Sequence, residues 1–315
     1  MIRIVAWLLL LLLPLQQAPT PPAPDPPLRT APLGEPDEPT PTEAPRHLLP
    51  AGTLCARAEQ LFDDGGGEAL KGAGKLFGIA ASRFPHEPCG HAGLARTLVA
   101  SYARRIEPDD TQVTEALEAA RRAASLAPDS PLARAALATA LFADLRPIEA
   151  ERQASSALGL DPDSIPALLA AAQARIALSR HADAREALDR ALRIAPALPA
   201  AHLLEGHLHL VQGSAHDAVD SYSRALLLSP DYLPALLQLA VALTEAGRAA
   251  EASAAFRQIV EENPGESSRA NLLMAHALMK SGVWAPALKL LERAEFTTLR
   301  GLSNGTVHYM RGVCL

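Results

Sequence analysis

From residue 116 onward, alanine and larger apolar side chains return at spacings of four and three, which places them on one face of an α-helix. Ala116, Ala120 and Ala123 form one such set, and Ala150, Ala154 and Ala157 form the next. The series continues as Ala184, Leu188 and Ala191, then Ala218, Tyr222 and Ala225, then Ala252, Phe256 and Ile259. Each set stands 34 residues beyond the last, and so do the prolines that follow them, Pro128, Pro162, Pro196, Pro230 and Pro264. A second amphipathic pattern fills the first half of each unit, with Leu137, Ala138 and Leu141 in one and Leu239, Ala240 and Leu243 three units later. Gly213 and Gly247 share a phase between the halves, where a residue of free φ ends a helix. The pattern predicts two helices per unit, a tight turn between them, and a proline that closes the second helix.

A 34-residue unit of two helices resembles the tetratricopeptide repeat family. Leu204-Glu205-Gly206, Ala218, Tyr222, Ala225 and Pro230 carry the resemblance most closely, and the units 131-164, 165-198, 199-232 and 233-266 fit without insertion. An earlier unit, about 51-87, is recognisable from Ala73, Phe77, Ala80 and Pro85, with extra residues at 63-67. The next, about 88-130, carries an insertion at 106-110. A later unit, 267-300, has one extra residue before Pro286, and Thr306 to Leu315 reads as a lone first helix. Such irregularity suits the ends of an array, where one face lacks a neighbour. The resemblance implies an all-α, right-handed superhelical solenoid over 51-315.

It also implies a ligand surface on the concave side, lined by the first helix of each unit. The matching positions are Leu132 and Phe142 in one unit, and Leu169, Gln173 and Ile176 in the next. They continue as Leu203, His207 and Leu210, and then as Leu237, Val241 and Thr244. This strip is mainly apolar, so the expected partner is a protein or peptide that offers an amphipathic helix or an extended apolar segment. Relatives that grip the carboxylate tails of chaperones use Lys, Asn and Arg here, and this chain lacks them. Ala170, Leu204 and Gln238 stand where other relatives carry an asparagine ladder. The opposing expectation is that tight curvature, or the chain's own terminal helix, buries the strip.

The amino terminus reads differently. Arg3, the apolar run from Ile4 to Leu13 and the polar Gln16 and Gln17 have the profile of a signal peptide over 1-18. The run is about half the roughly 20 residues that a spanning helix needs, so membrane attachment is expected only through an uncleaved signal. Between Pro14 and Pro50 there are 13 prolines in 37 residues, which makes 19-50 an extended tether with a reach of roughly 100 Å. The expected location is therefore outside the cytoplasm, either periplasmic or extracellular.

Charge and candidate chemistry narrow the function. The formal net charge is -6 with no basic stripe, so nucleic acid is not an expected partner. Gly301-Leu302-Ser303-Asn304-Gly305 matches a hydrolase string but joins two helices rather than a strand and a helix. Gly72-Ala73-Gly74-Lys75 lacks the hydroxyl residue and the earlier glycine of a phosphate loop. Asn304-Gly305-Thr306 is a glycosylation sequon. His202, His207, His209 and His216 have no acidic residue poised to complete a tetrahedral set, and neither do His86, Cys89 and His91, so no metal or cofactor is expected. First helices of adjacent units stack side by side, so Cys55 and Cys89 are a candidate disulfide, with Cys89 just before its helix and Cys314 left over. The expected function is a non-enzymatic, exported scaffold for an envelope or secretion complex. The alternative is the recruiting portion of a larger enzyme or receptor, suggested by Leu315 falling inside a first helix.

Overall fold

The computed structural model describes residues 49-64, 67-104, 110-262 and 282-293, together with 271, 274, 275, 278 and 279. The signal peptide, nearly all of the tether, the 301-305 string with its sequon, Cys314 and the final half unit lie outside the described residues. Among the described residues thirteen helices are traced, with no strand. They pair as α1 (Ala51–Asp64) with α2 (Gly67–Arg83), α3 (Pro88–Arg104) with α4 (Asp110–Leu126), and α5 (Pro131–Ala143) with α6 (Pro147–Leu160). Next come α7 (Ile165–Ala177) with α8 (His181–Ile194), α9 (Pro199–Val211) with α10 (Ala215–Leu228), and α11 (Leu233–Glu245) with α12 (Ala249–Glu262). The last, α13 (Trp284–Arg293), is the second helix of its unit.

Local chemistry sets the helix ends. Proline occupies the first or second position of α5, α6, α7, α9 and α11, where its fixed φ suits a helix start and its missing N–H is not needed. Ser130 caps α5 by accepting from the Ala133 N–H at 3.3 Å. Between the helices of the pairs α5–α6, α7–α8, α9–α10 and α11–α12 one residue turns left-handed, Leu145 (φ 63), Ser179 (φ 60), Gly213 (φ 82) and Gly247 (φ 75), and Gly282 (φ 74) does so ahead of α13. The same crossed hydrogen bonds close all five of these turns, from the N–H of Arg146 to Leu141, Arg180 to Arg175, Ser214 to His209, Arg248 to Leu243 and Val283 to Leu278. Backbone hydrogen bonding thus defines the turn, and glycine only lowers its cost.

Within each pair, small and large side chains are complementary. Ala138 packs in one cluster with Ala154, while Ala172 shares a cluster with Leu188 and Ala240 with Phe256. Gly206 lies directly against the Tyr222 ring. The first helices α1, α3, α5, α7, α9 and α11 form the inner layer and touch in succession. The turn of the array is tight enough that α11 also touches α3, four units earlier.

The first two units are fastened to each other. Cys55 on α1 and Cys89 on α3 are joined as a disulfide with their Cα atoms 6.2 Å apart, and Cys89 lies in the first turn of α3 rather than ahead of it. Beside them, buried Arg96 of α3 donates to both oxygens of Glu59 at 2.8 and 3.0 Å and lies 4.4 Å over the Phe62 ring. Arg96 is buried while Glu59 is a third exposed, so loss of Glu59 would leave an uncompensated buried charge.

Candidate partner-binding surface

Every inner-strip residue lies on an inner helix, as the repeat phase requires, but most have no free surface. Phe142 on α5, Leu169, Gln173 and Ile176 on α7, Leu203 and His207 on α9, and Leu237 and Thr244 on α11 are all buried. Leu132, Leu210 and Val241 remain half-exposed. The inner strip is therefore a largely closed seam, with half-exposed apolar surface left at these three positions. Apolar surface is worth about 25 cal/mol per Å² when removed from water, so facing strips favour curvature that brings them together. Adjacent inner helices supply part of that cover, and the approach of α11 to α3 narrows the space between them.

The polar members of the inner layer show how dry it is. Thr139 and Thr244 donate to the carbonyls four residues back, Ala135 and Ala240, each at 2.9 Å. His207 is 3% exposed, and neither of its ring nitrogens has a hydrogen-bond partner. Its ring meets that of Tyr222 at 5.3 Å between centroids, tilted by 55°. Burial holds the His207 imidazole well below its usual range and pushes the Tyr222 hydroxyl well above its own.

Charged networks lie part-buried between the helices. Glu205 accepts from Arg185 at 3.4 Å, His202 at 3.4 Å and Ser221 at 3.3 Å. The hydrogen bond from His202, ahead of the nearby Arg185 charge, holds its carboxyl below the usual range against the opposing effect of burial. Glu151 on α6 meets Arg175 of α7 at 3.5 Å and Arg180 at 3.1 Å, so ion pairs bridge neighbouring units. Of these, the Arg180 pair is the one whose arginine is half exposed, and a pair of that kind contributes about 0–1 kcal/mol. Among the described residues no group of three or more His, Cys, Asp or Glu is placed to hold a metal. Sequence reading missed one surface feature, the exposed pair Leu145 (53%) and Ile148 (72%) at the turn between α5 and α6. Only its departure from glycine at position 145 could have drawn notice.

The family profile described as tetratricopeptide repeat matches residues 210–275 and 243–297. Over residues 210–297 the chain is therefore similar to the tetratricopeptide repeat family. A tetratricopeptide repeat protein from Parabacteroides merdae superposes on it with a TM-score of 0.53 at 16% identity, covering 84% of this chain and 98% of that one. Human IFIT1, solved as a dimer with m7Gppp-AAAA, gives 0.65 at 19% identity over 78% of this chain and 59% of its own. A chain of the APC/C hetero-tetramer Cut9-Hcn1 gives 0.62 at 13% identity over 81% and 48%. The chain thus spans little more than half the length of IFIT1 and about half of the Cut9-Hcn1 chain. At these identities the likeness is one of fold. No curated protein matches the chain. A tetratricopeptide repeat solenoid is a fold typical of protein-interaction scaffolds rather than of catalysts, and that supports a protein or peptide partner.

Proposed function

We propose that this chain is an exported, non-enzymatic adaptor that holds a protein partner along the inner edge of its solenoid, in the assembly of an envelope or secretion complex. The observation that carries the reading is the set of half-exposed apolar residues left on the inner helices, Leu132 on α5, Leu210 on α9 and Val241 on α11. Leu210 and Val241 border the buried core, so an amphipathic helix or extended apolar segment laid there would extend that core outward. The signal-like residues 1-18 and the proline-rich stretch to residue 50 support export and a reach away from an attachment point. IFIT1 was solved with capped RNA. Here the buried guanidinium Arg96 is already engaged by Glu59 and the formal charge is -6, which favours a protein over a polyanion.

The test is a triple variant, Leu132→Glu, Leu210→Glu and Val241→Glu, in the full chain. Half-exposed positions tolerate charge, so helicity should hold while capture of partners from the native compartment falls away. Equal capture by wild type and variant removes the inner edge as the binding surface. Recovery of the full chain in the cytoplasmic fraction removes the export half of the reading.

A further inference from the structure

His207 sits where the core changes hands. Helix α9 contributes Leu204 and Leu208 to the cluster that runs back to α1, and Leu203 to the cluster that runs forward to α12. His207 is one turn beyond Leu203, on the forward-facing side, against Tyr222 of α10. Both of its nitrogens are buried and unpartnered, as are the Tyr222 hydroxyl and the side-chain nitrogen of Gln238 on α11. Native interiors keep such atoms few, so their presence on α9, α10 and α11 marks a seam held by apolar packing rather than by hydrogen bonds. The contact between successive inner helices also thins from α3 and α5 towards α9 and α11.

No carboxylate among the described residues is placed to receive an imidazolium there. Arg185 of α8 is engaged with Glu205 and His209, and Asp217 of α10 lies 4.0 Å from His209. Glu205 and His209 are each two residues from His207, about 200° around the helix, so that network occupies the opposite face. On α7, Arg175 is held by Glu151, and the buried polar residue is Gln173. On α11 the buried polar residues are Gln238 and Thr244. Among the described residues the titratable group that meets the His207 ring is Tyr222, which is neutral and pushed further from ionisation by burial.

We propose that His207 is an acid-sensitive hinge, whose protonation parts α9 from α10 and α11 and divides the array into two bodies at unit 199-232. A neutral imidazole leaves one donor and one acceptor unpaired in this site. The imidazolium would leave two donors unpaired and add a buried charge, so the proton binds only after the seam opens. The sign follows: the closed form keeps His207 neutral, whereas the opened form titrates near the ordinary 6.5. Closure is at full strength above that pH and weakens below it. From about pH 7 to about pH 5 this one proton raises the opened population about 25-fold. The inference stands whether or not the proposed partner is correct, because it concerns the array alone.

Hydrogen exchange of the full chain at about pH 7 and about pH 5, corrected for intrinsic exchange rates, tests it. Protection of α10 and α11 should fall about 25-fold in wild type while α5 to α8 change less, and His207→Leu and His207→Gln should remove the fall. An equal fall in either folded variant, or no fall in wild type, overturns the hinge. If neither variant folds, the His207 ring proton shift in the wild-type chain decides. An imidazole that titrates near pH 6.5 with α10 still protected overturns the proposal, and one that titrates only as protection is lost sustains it.

Discussion

Gly206→Ala probes the tightest approach within unit 199-232. A Cβ built on Gly206 would stand 2.5 Å from Cε1 and 2.7 Å from Cδ1 of Tyr222. Carbon atoms settle at about 3.5–4.0 Å, so the overlap is about 1 Å. The ring is fully buried and backed by His207, which limits its retreat. Overpacking of this kind costs about 1–3 kcal/mol, against a gain of about 0.8–1 kcal/mol for alanine over glycine inside a helix. The expected net loss is about 1–2 kcal/mol, read as a lower urea midpoint by circular dichroism with an unchanged slope. Adding Tyr222→Leu recreates the pair that unit 165-198 uses, Ala172 with Leu188. The double variant should then show a coupling of about 1 kcal/mol or more relative to the single changes. A neutral or stabilising Gly206→Ala refutes the steric argument, and would mean that the Tyr222 ring fits beside an alanine as Phe256 does in the cluster it shares with Ala240.

Leu145→Gly should stabilise the chain by about 0.5–1 kcal/mol, because a left-handed leucine costs about 1–2 kcal/mol and glycine returns part of that as unfolded-state entropy. Leu145 has φ 63 and is half exposed, so little burial is lost; a lower thermal midpoint for the variant would contradict this. Cys55→Ser should cost about 3–4 kcal/mol for a bond closing 34 residues. Recovering an unlinked Cys55 peptide from non-reduced protein made in an oxidising compartment would show the bond does not form. Leu203→Asp with Leu237→Asp should unfold the middle of the array, since both leucines are buried and each new carboxylate would lack a partner. Far-ultraviolet circular dichroism that kept full helicity would contradict that burial.

Much of the architecture is local and therefore legible from residues alone. The period of 34, the alanine phases and the closing prolines each act within one helical hairpin, so they predict helix pairs and which faces meet. The proximity of Cys55 and Cys89 is legible for the same reason, because it needs only that neighbouring units stack. The turns at Leu145 and Ser179 were harder to see, since crossed backbone hydrogen bonds impose them against residue preference. The state of the inner strip belongs to a longer range. Whether Leu169, Leu203 and Leu237 face a partner or face the protein depends on a small rotation per unit, summed over several units. No single hairpin encodes that sum. It emerges when α11 comes round to touch α3.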